Sequence, residues 1–254
     1  MESDWVGSYY EALEFFYWEP QHIGRKKHIS AEFDTLDKVK RHFHRMEVTL
    51  NHNLNQFFLL APSFLRNELF AELFHHPFSR PFAMWGNGVN IEFTLEDATQ
   101  PDFLFTSDAE VVSLEMKVGA KCNVSQVLKY ALLGLAVELR FCETRRHHLA
   151  LLGVGDFSNQ WQERFASEAE LRFAITDTDL GAFLSTRPVR FHGHERRFGE
   201  IVASLDVAFI NYPALAAFLR GASPPNSDQS AGAEVYRKLI AGMLGELSRR
   251  QLAT

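Results

Sequence analysis

Two apolar runs of strand length, VVSLEMKV at residues 111–118 and HHLALLGVG at 147–155, stand on either side of a long helical pattern. Asn123 opens that helix as Asn-Val-Ser-Gln, a capping-box arrangement with an amide at the fourth position. Val127, Leu128, Ala131, Leu132, Leu135 and Leu139 then keep one apolar face. A strand, an amphipathic helix and a second strand in that order imply a right-handed crossover and a sheet covered by helices. The expected class is therefore α/β.

The flanking sequence adds helices. Trp5, Tyr9, Leu13 and Phe16 form a helical stripe within residues 3–18 that Pro20 would end. Leu36, Val39, Phe43 and Met46 repeat the same period. APSFLRNELFAELF predicts a helix with Ser63 as its N-cap, an apolar face of Leu65, Leu69, Phe70 and Leu73, and Glu68 and Glu72 on one flank. A Pro- and Gly-punctuated connection, with the turn signal GNG, leads to the strand candidate VNIEFTL. Residues 158–172 read as helical, and the run from Arg187 to Pro213 fits either strand or helix. Residues 221–232, GASPPNSDQSAG, have linker composition ahead of a terminal amphipathic helix. The resulting division is a helical N-terminal extension at 1–55, a core at 56–156, a C-terminal part of the same domain at 157–220, and a linker with its helix at 221–254.

The net charge of −6 lacks the basic excess that many nucleic-acid-binding domains carry, although a local basic groove is compatible with it. No apolar run reaches the ~20 residues of a membrane span, and the N-terminus carries acids where a signal peptide carries bases. Cys122 and Cys142 form no CxxC pair and suit a reducing compartment, while one disulfide stays open. A cytoplasmic protein is expected.

Against this background the hairpin PDFLFTSDAEVVSLEMK, residues 101–117, is unusual. Side chains alternate across a strand, so Glu115 and Lys117 share one face while Leu114, Met116 and Val118 take the other, apolar face. Hairpin pairing brings Asp102 beside Glu115. Two carboxylates at close range repel unless a cation lies between them, and oxygen donors of this kind suit magnesium or manganese.

Pro101-Asp102, twelve intervening residues, and Glu115-Met116-Lys117 reproduce the PD…(D/E)xK pattern, and Gln126-Val-Leu-Lys-Tyr130 matches QxxxY. With its element order, the chain resembles the restriction-endonuclease-like PD-(D/E)xK nuclease superfamily, in particular its RecB-type branch, over roughly residues 60–155. The resemblance implies a three-layer α/β/α core of order αβββαβ, with helical additions at both ends. It also implies metal-dependent cleavage of a phosphodiester, with Mg²⁺ or Mn²⁺ as cofactor and DNA as the expected partner. Asp102, Glu115 and the carbonyl of Met116 would hold the metal, joined by a glutamate of the first helix, Glu68 in preference to Glu72. Lys117 would orient the attacking water, and Gln126 and Tyr130, one turn apart, would hold the lysine, the metal waters or the nucleic-acid backbone. A non-catalytic binding or assembly module on the same fold and an RNA nuclease are the competing readings, and a homodimer is compatible with all three.

Each residue also has an ordinary role: Asp102 capping a turn, Glu115 and Lys117 as an exposed ion pair, Gln126 closing the helix cap, and Tyr130 in the core. His192-Gly-His194 has a spacing that can chelate a metal, but no carboxylate or cysteine beside the histidines at 75–76, 147–148, 192 and 194 stands at a recognisable ligand spacing, so they read as surface or core residues. Arg187, Arg190, Arg196 and Arg197 form a basic run that fits either a phosphate-contacting groove or a solvated surface.

Overall fold

The structure is a computed structural model that describes residues 5–10, 38, 47–85, 98–99 and 101–254. Residues 5–10 are helical. The elements that follow are α1 (Glu47–Leu60), α2 (Ser63–Phe74), β1 (Ala83–Trp85), β2 (Phe103–Thr106), β3 (Glu110–Met116), α3 (Val124–Phe141) and β4 (Arg146–Gly153). Beyond them lie α4 (Glu168–Thr176), α5 (Leu180–Ser185), α6 (Glu195–Ser204), β5 (Asp206–Asn211), α7 (Tyr212–Ala222) and α8 (Ala231–Arg249). The chain divides into two compact units, Pro62–Asn211 and the pair of segments Met1–Ala61 with Tyr212–Thr254.

In the unit from Pro62 to Asn211, a mixed sheet has the strand order β1-β2-β3-β4-β5. β1, β2 and β3 are antiparallel neighbours, whereas β3, β4 and β5 run parallel. The β2–β3 turn is closed by Ser107, whose N–H donates to the Glu110 carbonyl at 2.9 Å and whose Oγ accepts from the Glu110 N–H at 3.1 Å. The expected crossover is present: β3 leads through α3 into parallel β4, in register from Glu110↔Arg146 to Met116↔Leu152. Mixed α/β architecture is thus established.

Period-two alternation divides the sheet into two faces. Phe105 carries α2 on one face through an edge-on contact with Phe70 at 5.0 Å, and Phe70 also meets Phe82 at 5.2 Å. Leu104, Val111, Leu149, Leu151 and Val207 line the other face and pack with α3, α4 and α6 in one apolar cluster. Val127, Leu128, Ala131, Leu132 and Leu135, the stripe expected on α3, are all buried. Each fully buried aliphatic side chain there is worth about 1.5–3 kcal/mol over exposure, so this helix is held by packing far more than by propensity. Its Asn123 cap forms as predicted, the side chain accepting from the Gln126 N–H at 2.9 Å.

Several local expectations change. Ser63 does not cap α2: Pro62 takes the cap position with extended backbone, and no side-chain cap bond forms. Residues 158–172 are not one helix. A 3-10 turn at Phe157–Gln160 is followed by Trp161 in extended backbone, bridging Cys122 in parallel fashion, and α4 starts only after Ser167. Burying the Trp161 ring completely outweighs continuation of the helix. Ala83–Trp85, inside the segment read as a connection, is a strand, while VNIEFTL and the stripe of Leu36, Val39, Phe43 and Met46 lie outside the described residues. The linker is shorter than its composition suggests, because α7 continues through Ala222. Both cysteines are free thiols, Cys122 buried and Cys142 exposed. Among the described residues no helix is long and apolar enough to cross a membrane.

In the unit formed by the two chain ends, Glu246 on α8 is completely buried. Its Oε1 accepts from Tyr10 Oη at 2.6 Å, from Asn53 Nδ2 at 3.3 Å and from Arg250. Burial and the adjacent Glu246 carboxylate push the Tyr10 hydroxyl up to about 12, so it remains a neutral donor. One carboxylate therefore ties residues 5–10, α1 and α8 together.

Candidate functional site

β3 presents Glu115 to the α3 side of the sheet, two positions along from Ser113 and four from Val111. The side chain is only 5% exposed, a costly position for a carboxylate unless donors surround it. Three converge on it. Lys117 Nζ and Gln126 Nε2 donate to Oε1, the latter at 2.5 Å, and Tyr130 Oη donates to Oε2. Gln126 and Tyr130 reach one carboxylate because positions four apart on a helix lie above one another. Gln126 thus does more than close the helix start, and Tyr130, although buried, turns its hydroxyl to the acid rather than to the rim.

Asp102 immediately precedes β2, and the pairing Phe103↔Leu114 sets it opposite the end of β3. Its Oδ2 accepts the Met116 N–H at 2.7 Å, which fixes the carboxylate at this edge. The Met116 side chain is buried on the opposite face, as alternation requires. The Lys117 N–H continues the ladder to the Leu152 carbonyl at 2.8 Å.

The electrostatics follow from this packing. Burial draws the Lys117 ammonium down, but Glu115, with smaller help from Cys122 and Asp102, outweighs it and leaves the group raised above its ordinary value. Lys117 is therefore a cation at neutral pH, able to donate and not to act as a base. Burial, followed by the Glu115 and Asp102 charges, raises Tyr130 well above the usual phenol range and keeps it protonated.

Asp102, Glu115, Met116, Lys117, Gln126 and Tyr130 are accordingly brought to one sheet edge. Glu68 and Glu72 are exposed on α2, the helix packed through Phe70 against the opposite face, and no contact joins either to Asp102 or Glu115 among the described residues. The basic run is largely committed elsewhere. Arg197 donates to Glu138 through Nε at 2.8 Å and Nη2 at 2.7 Å, Arg196 pairs with Glu200 at 2.7 Å, and Arg187 stacks on Phe183 at 4.2 Å.

The histidines depart from expectation in one place. His147 is a buried partner of Glu138, at 2.8 Å, and His192 bonds the Arg187 carbonyl at 2.9 Å, both structural roles. His76 and His148, however, come together with Glu110. No local spacing signals this, because the three residues lie on different elements and meet only through the sheet.

The donor set at Asp102 and Glu115 is suited to a hard divalent ion: two carboxylates and a backbone carbonyl are all oxygen ligands. A carboxylate oxygen has two lone pairs, and Tyr130 is the sole donor to Glu115 Oε2 among the described residues, so acceptor capacity remains beside Asp102. Comparison with protein-family models, with curated proteins and with solved structures finds no match to this chain.

Proposed function

We propose that this chain is a Mg²⁺- or Mn²⁺-dependent nuclease with a restriction-endonuclease-like core, hydrolysing phosphodiester bonds of DNA. The observation that carries the reading is the convergence of Lys117, Gln126 and Tyr130 on Glu115 with Asp102 at the same edge. A purely structural hairpin has no need to bury Glu115 beside a half-buried acid and amine, Asp102 and Lys117, where apolar residues would pack at lower cost.

Asp102, Glu115 and the Met116 carbonyl would hold the ion. When bound, it supplies an acidified water and neutralises charge developing on the phosphate oxygens. Lys117, kept protonated by Glu115, positions that water and places positive charge near the phosphoryl group. Gln126 and Tyr130 hold the Glu115 carboxylate in one orientation, so the ligand set is arranged before substrate arrives. The bond between Asp102 and the Met116 amide does the same for the first acid.

The test is cleavage of duplex DNA, single-stranded DNA and RNA with Mg²⁺ or Mn²⁺, by wild type and by the Glu115→Gln and Lys117→Ala variants. Metal-dependent cutting of DNA by wild type is expected, with each variant slower by about 100-fold or more and each retaining wild-type circular dichroism. Variants that cut at the wild-type rate refute the mechanism. Preferential turnover of RNA assigns the same chemistry to the other polymer.

A second reading, a non-catalytic binding or assembly module, is favoured by one feature: the Glu115 charge is already balanced by Lys117 within the protein. Nucleic-acid binding unaffected by chelator, with no turnover of any substrate, selects it.

A further inference from the structure

His76, just beyond α2, Glu110, at the start of β3, and His148, on β4, each offer a ligand atom within 4.8 Å of the other two. Glu110 and Glu115 lie five residues apart on the same strand. The cluster is therefore about 17 Å from the Asp102 edge and on the opposite, α2 face of the sheet.

Its hydrogen bonding is incomplete in a particular way. The His76 Nδ1 lies 3.3 Å from the Phe74 carbonyl, which can only accept, so Nδ1 carries the proton and Nε2 presents a lone pair. That Nε2 is buried and has no hydrogen-bond partner. His148, 1% exposed, is flanked by two acids: Nε2 is 2.8 Å from Glu110 Oε2, and Nδ1 is 3.6 Å from Asp206 Oδ2. A neutral imidazole has one N–H, so either tautomer turns a bare lone pair toward a carboxylate. A cation at Nε2 with the proton at Nδ1 satisfies both sides, the arrangement in which a carboxylate orients a ligating histidine.

We propose that His76, Glu110 and His148 bind one divalent transition ion of the zinc class, with Asp206 orienting His148 from behind. Two imidazoles and one carboxylate are a zinc-type donor set, softer than the all-oxygen set at Asp102, and three protein ligands leave a fourth tetrahedral position for water. With bonds of about 2.0–2.1 Å, tetrahedral ligand atoms sit about 3.3 Å apart. The 2.8 Å His148–Glu110 pair opens slightly and His76 closes in, movements within reach of side-chain torsions. The rings of Phe74 and Phe78 wall the site, at 4.8 and 5.4 Å from His148. Arg146, 3.7 Å from Glu110 Oε1, and Arg172, 3.2 Å from Asp206 Oδ1, are the neighbouring cations; both lie on the oxygens turned away from His148.

The experiment strips the full chain with chelator and titrates Zn²⁺ by calorimetry, with Co²⁺ as a spectroscopic probe, in wild type and in His76→Gln, Glu110→Gln and Asp102→Asn variants. One equivalent of Zn²⁺ bound at the histidine site is expected, with tetrahedral d–d absorption on cobalt loading. Affinity falls by at least tenfold in His76→Gln or Glu110→Gln and is unchanged in Asp102→Asn. Circular dichroism identifies any variant that fails to fold, in which case the other ligand variant decides. No zinc uptake by wild type, octahedral cobalt spectra, equal affinity in the ligand variants, or loss confined to Asp102→Asn overturns the proposal. Because the last outcome places the ion at the Asp102 edge, failure here leaves the nuclease reading separately testable.

Discussion

Glu138→Gln has a size and a pH signature that the structure sets in advance. The Glu138 side chain, 8% exposed on α3, accepts from Arg197 twice, from His147 at 2.8 Å and from the Arg145 N–H at 2.9 Å. Burial alone raises its pKa, but the bonds from Arg197, His147 and the Arg145 amide outweigh that and bring it from 4.5 down to about 2. Such a shift is worth about 3 kcal/mol at roughly 1.36 kcal/mol per pH unit. The sign is fixed by the depression: the stabilisation is complete above the unfolded-state value and is lost as pH falls toward 2. Linkage leaves roughly half of it near pH 3. Urea unfolding of wild type and variant between pH 7 and pH 3 measures this directly. A stability difference of about 3 kcal/mol at neutral pH should shrink to about half that at pH 3. A difference that stays constant across the range refutes the ionised carboxylate as its source, leaving packing alone.

Two further substitutions probe other contacts. A Cβ added at Gly134 would fall 2.6 Å from His147 Nδ1 and 2.9 Å from its Cε1, so Gly134→Ala should cost about 1–3 kcal/mol by overpacking, read as a lower urea midpoint; an unchanged midpoint contradicts the close approach of α3 to β4. Glu246→Ala removes the acid that Tyr10, Asn53 and Arg250 share and takes from the buried Arg250 guanidinium its Glu246 counter-charge, a loss of about 3–5 kcal/mol. Thermal unfolding that is unaffected by this change would show that the buried acid contributes nothing net.

The acid–base cluster was readable because its signals are local or follow from simple periodicity. Alternation on β3 put Glu115 and Lys117 together, hairpin pairing brought Asp102 to the same edge, and helical spacing aligned Gln126 with Tyr130. Where tertiary packing decides, the pattern failed. The helical period at 158–172 yielded to burial of Trp161, and Ser63 lost its cap role to Pro62. The histidine–glutamate cluster depends on β3 and β4 lying in parallel register beneath the end of α2, information carried by no short stretch. Arg197 illustrates the same limit: its surroundings fit either a phosphate groove or a solvated surface, yet the residue pairs with an acid 59 positions earlier.

That long-range pair also bears on how the chain can be divided. A fragment ending at Gly155 would contain every member of the Glu115 cluster and all of α3, but neither Arg197 nor the apolar residues of α4 and α6 that cover the same face. Glu138 would then be left without its bidentate counter-ion beside a bare hydrophobic surface. During synthesis the nascent polypeptide passes through this state, so covering of the α3 face awaits emergence of the segment that follows it.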